Sequence, residues 1–327
     1  MKNQTITAIF VLVASAQFIS ILGQISLTER AQLDFAVSLL QNVAESDKSS
    51  VLSPFSVSTS LFIAYLAADG ETKQQLQSAL GKDASIPEFR LHFIKQLAYI
   101  AEAENRNYTL SVANRLYVRE GLSVKESFQR VLSFYYSETL HKFSFGQRNE
   151  LVQVPMMAKS DTVPYYEDDS VQVIKLPYIG DEVEMVIILP RRRFGLSDVL
   201  GNLSGEKLLK YVNEATNRSV SIKLPRFKVE EKRNLNSALQ AIGITDAFSG
   251  NANFEELFSN SLPISIGKII HGGFIEVNEK GTESAAATII ELEDRMGSSK
   301  IFNANQPFLF AIVKDLKTVL FLGQFVK

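Results

Sequence analysis

Gly281-Thr-Glu-Ser-Ala-Ala-Ala-Thr-Ile-Ile-Glu-Leu-Glu-Asp-Arg-Met296 is the stretch whose reading decides the fold. Read as a strand, its side chains alternate between two faces. One face carries Thr282, Ser284, Ala286, Thr288, Ile290 and Leu292, all uncharged and mostly small. The other carries Glu283, Glu291, Glu293 and Arg295, with Ala285, Ala287 and Ile289 among them. Such a segment can enter a sheet with the first face buried and its charges left in water. Read as a helix, Thr282 becomes an N-cap before an Ala/Glu/Leu/Arg run, and composition taken alone favours that reading. A segment competent in both states is what a switching loop needs. An ordinary surface helix is the plainer reading until the flanks are considered.

Upstream stand His271 and Phe274-Ile-Glu-Val-Asn-Glu-Lys280; downstream stands Phe302-Asn-Ala-Asn-Gln-Pro-Phe-Leu-Phe310, and the chain ends Leu320-Phe-Leu-Gly-Gln-Phe-Val-Lys327. Earlier come Val51-Leu-Ser-Pro-Phe-Ser56, Ala113-Asn-Arg-Leu-Tyr117, Val154-Pro-Met-Met157, Glu184-Met-Val-Ile-Ile-Leu-Pro190 and Gly243-Ile-Thr-Asp-Ala-Phe-Ser249. In this order the segments resemble the serpin family over nearly all of the chain. Glu279 to Thr288 resembles the family's hinge, Phe302 to Phe310 the strand after the reactive loop, and Val51 to Ser56 a helix-opening motif.

The chain has 327 residues, 46% of them hydrophobic, and a net charge of −2. That supports one large core or two small ones. Near-neutral charge argues against nucleic-acid binding; the longest basic run, Arg191-Arg-Arg193, reads as a solvated turn after Pro190. With no cysteine and only His92, His141 and His271, disulfides, thiolate chemistry and a His-rich metal site are set aside.

Lys2, the apolar run Ile6–Ala14 and small residues after it predict a signal peptide over residues 1–23, cleaved after Ala16 or Gly23. The run is too short and interrupted for a membrane span. Sequons at Asn107, Asn202 and Asn217 fit a secreted glycoprotein. Residues 24–327 then form one domain, without repeats or a dividing linker.

Ser26 with Glu29 forms a capping box ahead of Leu33, Val37, Leu40 and Val43 at helical spacing. Ser53-Pro54 opens an apolar helix expected to run to Gly70. Further helices are expected over 72–80, 86–103, 125–136, 204–215 and 235–242. Strands are expected over 110–117, 171–177, 183–190, 220–229 and after Phe302. The mixture is α+β, with mainly antiparallel sheets.

No catalytic constellation is present: no His-Glu-x-x-His, Gly-x-Ser-x-Gly or phosphate-binding glycine loop. Ser204-Gly-Glu-Lys207 reads as a helix N-cap. Asp168-Asp169 and Glu230-Glu231 read as surface charge. No enzyme activity, metal or cofactor is expected.

The resemblance implies a reactive loop over about 279–300, with a hinge at Glu279, Gly281, Thr282, Glu283, Ser284, Ala285, Ala286 and Ala287. Ser284 stands where alanine is usual. Counting from Glu279 puts the reactive bond at Arg295–Met296, bait for a trypsin-like serine protease whose specificity pocket holds an aspartate. A register one residue off puts Asp294 or Met296 there instead. After acylation the loop would insert as a strand and carry the protease with it. Isolated, His271 reads as a satisfied core or surface histidine. The resemblance places it beneath the main sheet near Ser53 and Ser56, as a structural hydrogen-bonding residue. It also implies a secreted monomer. One departure is large: Phe145 reaches Val154 through eight residues, where the family has a helix and a central strand. About 60 residues are absent on that reading, which matches the chain's shortness. The alternative is therefore a non-inhibitory binding protein. A smaller departure is Ser49, where the family often has asparagine.

Overall fold

The computed structural model describes residues 25–101, 125–130 except 129, 156–257 except 179 and 181, 264–278 and 299–326. The first helix, α1 (Leu27–Val43), starts as expected. Ser26 Oγ accepts from the Glu29 N–H at 3.2 Å, and the Glu29 carboxylate accepts from the Ser26 N–H at 2.8 Å. Its apolar face, Leu33, Val37 and Leu40, is buried.

Strand β1 (Ser50–Leu52) leads directly into helix α2 (Pro54–Ala67), followed by α3 (Gly70–Gly81) and α4 (Ile86–Ala101). The α2 helix stops before Gly70. That glycine turns the chain at φ +54° and opens α3 instead, while the Asp69 N–H donates to the Asn253 carbonyl at 3.1 Å. The α2–α4 contact is aromatic: Phe62 stacks on Phe93 with centroids 4.6 Å apart, and Phe89 meets both Phe62 and Tyr65 edge-on. Residues 126–128 and 130 are helical, as expected there; the expected strand at 110–117 lies outside the described residues.

Strands β2 (Met156–Glu167), β3 (Val171–Pro177) and β4 (Val183–Pro190) form an antiparallel meander. Helices α5 (Leu196–Gly201) and α6 (Gly205–Asn213) follow, then β5 (Thr216–Pro225) and β6 (Phe227–Asn234). Next come α7 (Asn236–Ala241), β7 (Ile270–Val277), β8 (Lys300–Asn303), β9 (Phe308–Lys314) and β10 (Thr318–Phe325). An eight-stranded sheet runs in the order β1-β10-β9-β4-β3-β2-β5-β8. Its pairs are antiparallel except β5 with β8. A second sheet pairs β6 with β7.

The large sheet is buried on both faces at β4 and β9. Val186 and Ile188 of β4 join the helices α1 and α2, while Met185, Ile187 and Leu189 face the core shared with the second sheet. This double burial explains why Val183–Pro190 reads as a continuous apolar run without alternation.

The stretch 220–229 is not one strand. It divides at Arg226 between two sheets, β5 pairing with β2 and β6 with β7. Pro225 ends the first ladder, and the apolar residues on either side belong to one shared core. That continuity makes the break invisible in the hydrophobic pattern.

Candidate functional site

The sequence places its inhibitory residues in two groups, Ser53, Ser56 and His271 beneath a main sheet and the hinge with the reactive bond in the loop that here runs between β7 and β8. Only the first falls within the described residues. The hinge (Glu279, Gly281, Thr282, Glu283, Ser284, Ala285, Ala286 and Ala287) and the reactive bond (Arg295, Met296) lie outside them, as do Asn107 and residues 1–23.

Beneath the second sheet, alternation along β7 turns His271, Gly273, Ile275 and Val277 inward. Gly273 lies so close to β1 that a Cβ there would stand 2.5 Å from the Val51 carbonyl oxygen. This approach brings His271 to the start of α2, where its Nε2 accepts from the Ser53 N–H at 3.0 Å. The acceptor role puts the ring proton on Nδ1. Ser53 in turn caps α2, its Oγ accepting from the Ser56 N–H at 3.2 Å. Ser56 enters through its backbone, its carbonyl also accepting from the Thr59 and Ser60 hydroxyls. Burial lowers the His271 pKa from 6.5 to about 4, so the ring is neutral at physiological pH. A neutral imidazole bonded to a backbone amide joins β7 to the start of α2.

Sequence reasoning missed the residues that complete this joint. Glu231 was expected at the surface, yet its side chain is only 14% exposed. It accepts from the Val51 N–H at 3.2 Å and pairs with Arg233 at 2.5 Å. Arg233 lies opposite His271 in the β6–β7 register and also reaches Glu45 after α1, at 3.2 Å. The signal was present in the period: Glu231 and Arg233 share the face of buried Phe227 and Val229. Ser49 closes the end of the fold. Its hydroxyl donates to the Val326 carbonyl at 2.7 Å and accepts from the Val326 N–H at 2.8 Å.

The loop's two anchors are described. It leaves β7 at Val277 in the small sheet and returns as β8 at the edge of the large one. There the Lys300 ammonium sits 2.6 Å from Glu167, Gln172 donates to the Ile301 carbonyl at 3.0 Å, and Phe302 is fully buried. Asn202 and Asn217 are exposed, and Ser204 caps α6 by accepting from the Lys207 N–H at 3.2 Å, as its motif predicts.

The family model described as serpin (serine protease inhibitor) matches residues 30–152 and 141–327, and the chain belongs to the serpin family. It is 27% identical to serine protease inhibitor 42Dd of Drosophila melanogaster, covering 88% of this chain and 93% of that one. It is 25% identical to human neuroserpin, covering 90% of each. The fold superposes on uncleaved ovalbumin with a TM-score of 0.78 at 21% identity, covering 91% of this chain and 99% of that one. It superposes on human thyroxine-binding globulin complexed with thyroxine with a TM-score of 0.75 at 19% identity, covering 92% and 98%.

The alignment with the Drosophila protein spans 353 residues but only 88% of this chain (about 288 of 327), so about 65 positions face a gap here. The two family-model matches meet at 141–152, around the short connector between Phe145 and Val154. The family is one of protease inhibitors rather than catalysts. No helix among the described residues is long and apolar enough to cross a membrane.

Proposed function

We propose that this chain is a secreted, monomeric inhibitor of trypsin-like serine proteases. Residues 1–23 serve as its signal peptide and Asn107, Asn202 and Asn217 as glycan acceptors. Arg295 is the bait and Arg295–Met296 the bond offered. The observation that carries the reading is the order Glu279, Gly281, Thr282, Glu283 and then the small residues Ser284 to Ala287, between two anchored strands of a serpin fold. Small side chains there let a strand enter a sheet without clash. A protease acylated at Arg295 would be carried along with the inserting hinge.

A second reading rests on the gap of about 65 positions against the Drosophila relative. Among the described residues the second sheet has two strands. A chain lacking the family's central strand would bind a partner without trapping a protease.

Incubation with trypsin separates the two. An inhibitor forms a complex that survives SDS and is absent with Arg295→Ala. Clean cleavage at Arg295 without such a complex would leave the binding-protein reading in its place.

A further inference from the structure

A polar cavity of about 400 Å³ opens where β8 begins, lined in part by Tyr165, Glu167, Glu214, Arg218 and Lys300. Its charges are unevenly matched. Glu167 has Lys300 at 2.6 Å and Arg191 at 2.5 Å, and accepts from the Tyr165 hydroxyl at 2.7 Å. Lys300 foremost, with Tyr165, holds the Glu167 carboxyl down to about 2, so it stays ionised and occupied. Glu214 has Lys210 at 3.9 Å. Arg218 lines the same cavity on the exposed end of β5 and has no ion pair among the described residues. Among the described residues, therefore, each lining carboxylate has a cation and the Arg218 guanidinium has no carboxylate of its own.

The place matters as much as the charge. Met296 lies four residues before Lys300, and four peptide units span at most about 15 Å. Lys300 is fixed by Glu167 and by β8's parallel pairing with β5, Val220 opposite Lys300. A protease seated on Arg295–Met296 thus covers ground within reach of the cavity.

We propose that this cavity is a second contact surface for the protease, receiving an acidic side chain of the partner against Arg218. The proposal rests on the bait reading of Arg295. A guanidinium at the rim of an interface acts mainly by steering, raising the association rate and making it salt-dependent. The site would therefore favour acidic over basic members of the trypsin-like class, although both accept the same arginine.

The test uses the full chain on a sensor surface, with anionic and cationic trypsins whose nucleophilic serine is replaced by alanine. Arg218→Glu is expected to slow association of the anionic trypsin by about tenfold at low salt and less at high salt, with Arg218→Lys near wild type. The cationic trypsin should be slowed little or not at all. Arg218 is exposed, and an unchanged melting temperature confirms that the variant folds. Equal rates for wild type and Arg218→Glu with both trypsins, where Arg295→Ala abolishes binding, overturn the contact surface and leave the bait reading standing. Sensitivity to Arg218→Glu with indifference to Arg295→Ala does the reverse. No binding of the wild-type chain to either trypsin overturns both.

Discussion

His271 carries the most testable chemistry at the scale of one residue. Its pKa is about 4 in the folded protein against 6.5 for the free side chain, because burial disfavours the imidazolium. The unfolded chain thus binds the proton more readily. The stability tied to the neutral ring is fully present above pH 6.5 and drains away as pH falls toward 4, by up to about 3 kcal/mol. His92 on α4 is lowered to about 4 by burial as well and adds a loss of the same sign. Replacing His271 with glutamine keeps an acceptor for the Ser53 N–H and removes the titration. The expected result is a shallower fall in melting temperature between pH 6.5 and 4, with the His92 share remaining. An unchanged pH profile would mean that His271 is protonated without cost. The resemblance put the ring beneath a sheet; how completely it is buried, and so the size of its pKa shift, rests on packing.

Elements meet in this fold at single contacts that sequence period alone does not reveal. The capping serines were legible because an N-cap is a local device: side chain and acceptor lie within one turn. Ser53→Ala removes the Ser56 bond at the start of α2, and chemical denaturation should show a loss of about 1 kcal/mol. Gly273→Ala should cost more, at least about 2 kcal/mol, because backbone rather than a flexible side chain stands 2.5 Å from the added carbon. If Gly273→Ala proves as stable as wild type, β7 and β1 are not held as close as described. Glu231 is the converse case. As a pair of acids with Glu230 it reads as surface, and only the pairing of β6 with β7 under β1 turns it to the Val51 amide.

The whole molecule poses the question of stored energy. A loop that can add a strand to a sheet makes the cleaved form more stable than the intact one. Trypsin-nicked protein, cut at Arg295–Met296, should therefore melt well above the intact chain in a calorimeter. Equal melting temperatures would mean that the freed hinge does not insert, in line with a chain short of its central strand.

At this scale the α+β class, helices α1 to α4, α6 and α7, strands β3 and β4 and the end strands could be read from the sequence, while β1, β2, β7 and α5 were not. The caps at Ser26, Ser53 and Ser204 were legible as well. What was legible rests on period, turn chemistry and capping, all set by neighbours along the chain. The division of 220–229 between two sheets, the start of α3 at Gly70, the bond from Ser53 to His271 and the link from Val51 through Glu231 and Arg233 to Glu45 rest on contacts between distant segments. A residue pattern records which faces are apolar, but not which distant element each face meets. The resemblance already set His271 near Ser53; tertiary packing decided that its Nε2 meets the Ser53 N–H and that Gly273 lies against β1 to complete the joint.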